Sequence, residues 1–317
     1  MSGRDAGWIP PMLATLTADR FSDPGWIYER KLDGERCLVH SERGKVALYS
    51  RNRHELNGSY PELVDAIAAQ HGDFVLDGEI VAFDGNVTSF ARLQRRMQLK
   101  EPRAARRSGV AVYLYLFDLL RLDGRDLTGL DLRRRKALLR ESIKYADPLR
   151  YTAHRNRDGV AYAEHACRQG WEGIIAKRAD APYTAGRSKD WLKFKCVAEQ
   201  EFVIGGYTDP QGSRTGFGAL LIGYYDNGDL RYAGKVGTGY DRRTLDEVGR
   251  RLARLEQREP AFTKGHLPRA GVHWVKPRLI GQVAFSEWTR DGQLRHPRFQ
   301  GLRFDKDPHD VVREVAR

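Results

Sequence analysis

The sequence predicts an α+β protein of two domains, a mixed α/β domain followed by a smaller barrel of short strands. Three observations carry this. The chain has 317 residues, enough for two domains of ordinary size. Its first part alternates apolar strand-like runs with helix patterns. After Lys195 the texture shifts to short strands interrupted by one charged helix.

In the first part, Trp26–Lys31 and Arg36–His40 read as strands around an Asp33-Gly34 turn that reverses the chain. Lys45–Ser50 continues the meander after Arg43-Gly44, and Phe74–Phe83 is a strand closed by Asp84-Gly85-Asn86. Val112–Leu119 is strongly apolar. Asp158 is placed to cap a helix with Val160, Ala163 and Cys167 on one face, and Gly170 to end it before the strand Gly173–Lys177. Cys196–Gln200 reads as a short linker, which sets the expected domains at 1–197 and 198–317. Beyond it, Glu201–Thr208, Gly218–Tyr225 and Leu230–Val236 are expected strands, the last two joined at Asn227-Gly228. A helix over Arg242–Glu256 follows, then strands at Val272–Val275 and Ile280–Trp288 with a turn at Asp291-Gly292. Short strands plus one helix suit a small Greek-key barrel such as the OB fold, a frequent nucleic-acid binder.

Hydrophobic residues make up 41% and charged residues 30%, as in a soluble globular protein. There is no apolar run long enough to span a membrane and no secretory signal pattern. Cys37, Cys167 and Cys196 are odd in number and far apart, which argues against a disulfide framework or a zinc cluster and fits a reducing, cytoplasmic setting. With 54 basic against 42 acidic residues, the net charge is +12 and favours polyanionic partners. The run Arg92–Arg107, including Arg92, Arg95 and Arg96, is dense enough for a phosphate track, whereas Arg133–Lys136 reads as a solvated helix face.

The chemistry concentrates in a few residues. Lys31 stands at a strand end in Lys31-Leu32-Asp33-Gly34-Glu35-Arg36, with Arg36 close by on the next strand. A lysine becomes a nucleophile when nearby cations, a metal or desolvation lower its pKa. Glu79 and Glu172 are lone carboxylates in apolar strand surroundings, which need a partner such as a bound cation or a basic residue of the same sheet. Lys193 and Lys195 alternate with Leu192 and Phe194 and so share one face, where an anion would relieve their repulsion. Phe117 sits in an apolar strand where most aromatics are simply core. The stretch Arg295–Lys306 adds basic residues near the C-terminus.

Taken together, these motifs resemble the covalent nucleotidyltransferase superfamily, and within it the ATP-dependent DNA ligases. The likeness is greatest to the ligase module of bacterial ligase D, an end-joining enzyme, and extends into Phe285–Thr289 and Leu294–Pro297. The resemblance implies a nucleotidyltransferase (adenylation) domain and an OB-fold domain, with ATP and Mg2+ or Mn2+ as cofactors. It implies Lys31 as the nucleophile that forms lysyl-AMP, Glu29 as the group recognising the adenine amino group, and Arg36 as a nucleotide contact. Arg51 matches an arginine on the ribose and the DNA 5′-phosphate. Glu79 matches an acidic residue near ribose or metal, Phe117 the adenine-stacking aromatic, and Glu172 a metal-binding glutamate. Lys193 and Lys195 match α-phosphate lysines; Arg303, Asp305 and Lys306 match the last motif, which orients the pyrophosphate. The implied substrate is nicked or broken double-stranded DNA. Implied partners are a Ku-type end-binding protein and separate polymerase or nuclease modules, in a nucleoid-associated setting. Neither those modules nor an extra N-terminal DNA-binding domain is expected within the sequence, and nothing in it demands more than a monomer. Two alternatives stay open, an RNA ligase or other covalent nucleotidyltransferase, and a non-catalytic nucleic-acid-binding protein on a ligase fold.

Overall fold

The structure, a computed structural model, describes residues 8–196, 198–210, 212, 214–289 and 291–314. The chain divides into two compact units, one ending at Cys196 and the other running to Glu314. Val197, the last residue of the first expected domain, lies outside the described residues.

The first unit contains β1 (Met12–Leu16), β2 (Trp26–Lys31), β3 (Glu35–Glu42), β4 (Lys45–Ser50), α1 (Pro61–Ala68), β5 (Phe74–Val81), α2 (Phe90–Met97), α3 (Pro102–Arg106), β6 (Tyr113–Leu122), α4 (Leu132–Ser142), β7 (Leu149–Tyr151), β8 (His154–Arg155), α5 (Gly159–Arg168), β9 (Gly173–Arg178) and β10 (Gly186–Lys195). One sheet has the order β1-β10-β9-β2-β8, the other β7-β6-β5-β3-β4. The expected reversal at Asp33-Gly34 is therefore corrected. β2 and β3 do not pair; the turn carries the chain from one sheet to the other. Gly34 suits that crossing because an added Cβ would lie 2.1 Å from the Ile80 carbonyl.

Alternation along the strands sorts the side chains into layers. Tyr28, Ile174, Ala176 and Phe194 of the first sheet pack on Tyr162, Ala163 and Ala166 of α5. Cys37, Val39, Leu76, Ile80, Leu114 and Leu116 of the second pack with Leu63 and Ile67 of α1, Leu93 of α2 and Leu139 of α4. Between the two sheets, Met12, Leu38, Phe117, Tyr183 and Trp191 form a smaller cluster.

Helix α5 occupies its expected place but is built differently. Asp158 adopts a left-handed conformation and makes no side-chain cap. The buried face is Tyr162, Ala163 and Ala166, while Val160 is 36% exposed. Gly170, at φ +70°, ends the turn as anticipated. The cysteine expectation is also overturned: Cys167, at the end of α5, and Cys196, just past β10, form a disulfide. Their sequence separation of 29 residues concealed a Cα–Cα distance of 5.2 Å, because β9 returns the chain beside the helix it follows.

His40 lies against Trp8 and Tyr49. Burial, then Arg121 and Arg53, pull its pKa down to about 4. The unfolded chain binds this proton below about 6.5, so stability should fall as pH drops from about 6.5 through 4. His40→Phe removes that slope. At pH 5 the variant should be more stable relative to wild type than at pH 7, by about 1–2 kcal/mol in urea titrations.

The second unit contains β11 (Ala198–Thr208), β12 (Leu220–Asp226), β13 (Asp229–Val236), α6 (Arg242–Ala253), β14 (Glu256–Gln257), β15 (Val272–Phe285) and β16 (Arg298–Arg303). Several boundaries move, and the helix expected to reach Glu256 stops at Ala253. Ala198–Gln200 belongs to β11 rather than to a linker, and the two expected strands over Val272–Phe285 are one. That long strand stays paired to β11 past an irregularity at Ile204/Gly206. Sheet order is β13-β12-β11-β15-β14, with β16 also on β15. A bond from the Phe299 amide to the Thr238 carbonyl brings β16 back to the segment after β13. With α6 between the third and fourth main strands, this is OB-fold connectivity. Asn227 and Gly228, both at positive φ, make the tight turn between β12 and β13. Among the described residues, no helix is long and apolar enough to cross a membrane.

Candidate active site

Register across β2, β9 and β10 assembles the site. Lys31, Gly173 and Lys195 are partners; two residues along come Glu29, Ile175 and Lys193; two further come Ile27, Lys177 and Trp191. Directly opposed residues of antiparallel strands point to one face, so all three rows face away from α5. The opposite face carries the apolar residues packed on that helix. The lysines that looked scattered in sequence thus form a charged sheet surface.

At one end of it, Lys31 Nζ donates to Glu172 Oε2 at 2.6 Å, and Lys195 Nζ is 3.9 Å from Glu172 Oε1. The Lys31 and Glu172 side chains keep 20% and 11% of their exposure, so the pair is reachable from solvent. Gly173 sets the spacing: at φ +148°, an added Cβ would sit 2.1 Å from the Phe194 carbonyl. Glu172 therefore gives the sheet lysines a shared counter-charge.

The other end is buried. Glu29 is 2% exposed and lies between two lysines, Lys136 Nζ at 2.5 Å and Lys177 Nζ at 2.6 Å. The Lys177 contact has ion-pair distance without hydrogen-bond alignment. Lys177 Nζ also stands 4.1 Å from the Phe117 ring centroid and 4.0 Å from that of Trp191. Burial works against the Glu29 carboxylate, but the two lysines outweigh it and hold its pKa low. Burial, then Lys136, lower Lys177 against the pull of Glu29, leaving it at about 8.

The second sheet supplies the facing wall. Arg36 pairs with Asp77 at 2.5 and 2.6 Å, donates to the Met12 carbonyl, and lies over Phe117 at 4.8 Å. Tyr183 Oη donates to Asp77 at 2.6 Å. Glu79 is the register partner of Arg36, on the same face. Arg51, half-buried, sits in the turn after β4. In the other unit, Arg303 is bonded to Asp305 at 2.9 and 2.8 Å, and Lys306 Nζ is 2.8 Å from Glu201.

So Lys31, Glu29, Glu172, Lys193 and Lys195 share one surface, and Arg36, Glu79 and Phe117 stand on strands of the second sheet. Two expectations fail. Arg96 is 1% exposed and bonded to Ser59, Ser108 and Val110 carbonyl or hydroxyl oxygens and to Glu62, so it is framework and not a nucleic-acid contact. Arg133–Lys136 is only half a solvated face: Arg133 and Arg134 are exposed, but Arg135 and Lys136 are 0% and 1% exposed. Sequence reasoning missed Lys136, Asp77 and the Asp118–Arg135 pair. A signal existed for α4, since Arg135 and Lys136 fall in helical phase with the buried Leu132 and Leu139.

Comparison with known proteins decides the family. The ATP dependent DNA ligase domain matches residues 11–195, and the ATP dependent DNA ligase C terminal region matches residues 213–306. The chain belongs to the ATP-dependent DNA ligases. The multifunctional non-homologous end joining protein LigD of Pseudomonas aeruginosa is 39% identical over 316 residues, covering 97% of this chain and 37% of that protein. The multifunctional non-homologous end joining DNA repair protein LigD of Mycobacterium tuberculosis is 39% identical over 314 residues, covering 96% and 40%. A solved mycobacterial DNA ligase D complexed with ATP and MES matches with a TM-score of 0.69 at 36% identity, covering 96% of this chain and 98% of that one. The ligase chain thus spans about two-fifths of the length of these curated relatives.

Proposed function

We propose that this chain seals breaks in duplex DNA bearing a 5′-phosphate and a 3′-hydroxyl, using ATP through a lysyl-AMP intermediate. The observation that carries the reading is Lys31 held 2.6 Å from Glu172 on a sheet face shared with Lys193 and Lys195. Such a face suits a phosphate between lysines and a solvent-reachable amine.

In the first step, Lys31 Nζ loses a proton and attacks the α-phosphorus of ATP. A P–N bond forms, the P–O bond to the β-phosphate breaks, and pyrophosphate leaves. In the second, an oxygen of the DNA 5′-phosphate attacks that phosphorus and frees Lys31. In the third, the 3′-hydroxyl attacks the activated 5′-phosphate and AMP departs. Each transfer requires in-line placement and charge neutralisation. Lys193 and Lys195 fit the α-phosphate, Phe117 and Glu29 the adenine end, and Arg36, Arg51 and Glu79 the ribose and its surroundings. Arg303, Asp305 and Lys306 fit the pyrophosphate, with Asp305 fixing the Arg303 guanidinium.

Among the described residues, no group of three or more His, Cys, Asp or Glu side chains could hold a metal by itself. This fits Mg2+ or Mn2+, which binds through phosphate oxygens and one or two carboxylates. Glu172 and Glu79 are the carboxylates proposed to hold it, and the ion would neutralise phosphate charge. For DNA, the exposed Arg92, Arg95, Lys100, Arg103 and Arg107 on and around α2 and α3 form the proposed phosphate track, together with the +12 net charge. The names of the relatives support end joining as the setting. A nucleoid-associated place in the cytoplasm, a Ku-type end-binding protein and separate polymerase or nuclease modules complete the proposal.

The test mixes the protein with ATP labelled at the α-phosphate and Mg2+. Label should become covalently attached, then move to the 5′-phosphate of a nicked DNA duplex with sealing. Transfer to nicked RNA in preference to DNA would make it an RNA ligase. Nick binding without labelling by ATP, GTP or NAD, and without ATP release on adding pyrophosphate, would make it a binding protein.

A further inference from the structure

Lys136 lies outside every motif that marked the nucleotide site, yet its buried ammonium is fully engaged beside Glu29. Its ammonium has three N–H donors. They meet Glu29 Oε1 at 2.5 Å, the Thr152 carbonyl at 3.1 Å and the Phe117 carbonyl at 3.4 Å. Those partners come from β2 in one sheet, from β6 in the other, and from the segment after β7. Lys136 itself is 1% exposed, on the buried stripe of α4.

The arrangement is asymmetric. Two lysines face one carboxylate, one more positive charge than Glu29 neutralises. Lys136 has no donor left for a ligand. Lys177 has no aligned hydrogen bond and is stacked on Phe117 and Trp191. Lys136 therefore acts as the anchor of Glu29, and through the carbonyl of Phe117 it ties the same point to the aromatic wall. A carboxylate that reads an amino group must keep one orientation, and a short charge-assisted bond from a saturated, immobile donor provides this.

We infer that Lys136 is a positioning residue for base recognition: it fixes the Glu29 carboxylate so that the site selects a purine carrying a 6-amino group. This rests on the reading of Glu29 as the adenine-recognising group. Lys136 does not touch the nucleotide; it acts through Glu29.

The experiment compares ATP with the triphosphate of unsubstituted purine riboside, which lacks the 6-amino group. Half-saturating concentration and maximal rate of self-labelling are measured for wild type and Lys136→Met. Wild type should prefer ATP by roughly 10- to 100-fold in rate over half-saturating concentration, the size of a charged hydrogen bond. In Lys136→Met that preference should collapse to within about 3-fold, mainly through a weaker half-saturation for ATP. A purely structural role would lower both nucleotides alike and leave the ratio intact. A wild-type preference that persists unchanged in Lys136→Met overturns the inference while the Glu29 reading stands. A wild type that does not distinguish the two nucleotides overturns both. Should Lys136→Met fail to fold, Lys136→Gln is read by the same ratio, because its amide stops one bond short of the Nζ position; an unchanged ratio there overturns the inference, and a collapsed one supports it.

Discussion

Lys31→Ala should reduce covalent labelling by α-phosphate-labelled ATP to the level of a no-enzyme control while leaving the fold intact. Methyl cannot replace an amine that forms the P–N bond, so the loss is not a partial weakening of binding. Lys31→Arg should be equally inactive despite keeping the charge, since a guanidinium stays protonated and is no nucleophile at neutral pH. The structural consequence is small. The Lys31 side chain is partly exposed at 20%, and Glu172 retains Lys195 at 3.9 Å. A partly exposed ion pair contributes up to about 1 kcal/mol, so thermal melting should shift by no more than about 4 °C. Sealing of a DNA already carrying 5′-linked AMP, which bypasses the first two transfers, should survive in Lys31→Ala. Label on the Ala polypeptide would identify another nucleophile and discard the proposed first step.

The largest stability effect is expected away from the chemistry. Asp118 and Arg135 are both 0% exposed and form a two-pronged pair at 2.8 and 3.0 Å. Arg135 also donates to the Ala181 carbonyl at 3.2 Å and to the Leu130 carbonyl. Asp118→Ala leaves a guanidinium buried without its counter-charge, which costs about 3–5 kcal/mol. For a domain of this size that corresponds to a fall in melting temperature of roughly 10 °C. The Asp118→Leu, Arg135→Met double variant removes both charges and should recover most of the loss. Calorimetry of the three proteins checks this. A loss under about 1 kcal/mol in Asp118→Ala would mean that Arg135 finds another anion or water, and the pair would lose its place as framework.

Local rules reached the secondary structure well where pattern and period agree. β2 and β4 were legible residue for residue, because each is a short run bounded by turn residues. The Asn227-Gly228 turn and the Gly170 stop were legible because positive φ selects for Asn and Gly. The errors share one cause. Whether Asp33-Gly34 joins neighbours or different sheets depends on pairing partners far along the chain. Whether Arg135 is solvated depends on Asp118 lying across from it. Whether Cys167 meets Cys196 depends on β9 and β10 folding back beside α5. None of these is encoded in a local window.

The division is similar at the site. Sequence by itself determined the residue types and their order: Lys31 beside a turn, Lys193 and Lys195 on one strand face, Glu172 ahead of an apolar strand, and a strongly basic surface. These follow from strand alternation and charge counting, which are properties of short segments. Only tertiary structure decided that Lys31, Gly173 and Lys195 align across three strands, because register is a relation between distant segments. Only tertiary structure turned Arg96 from a surface cation into framework, and Lys136 into the anchor of Glu29. A long basic side chain is polar in any sequence scale. It is buried only when the fold brings it enough oxygen acceptors to replace water, and those acceptors come from elements that meet only after folding.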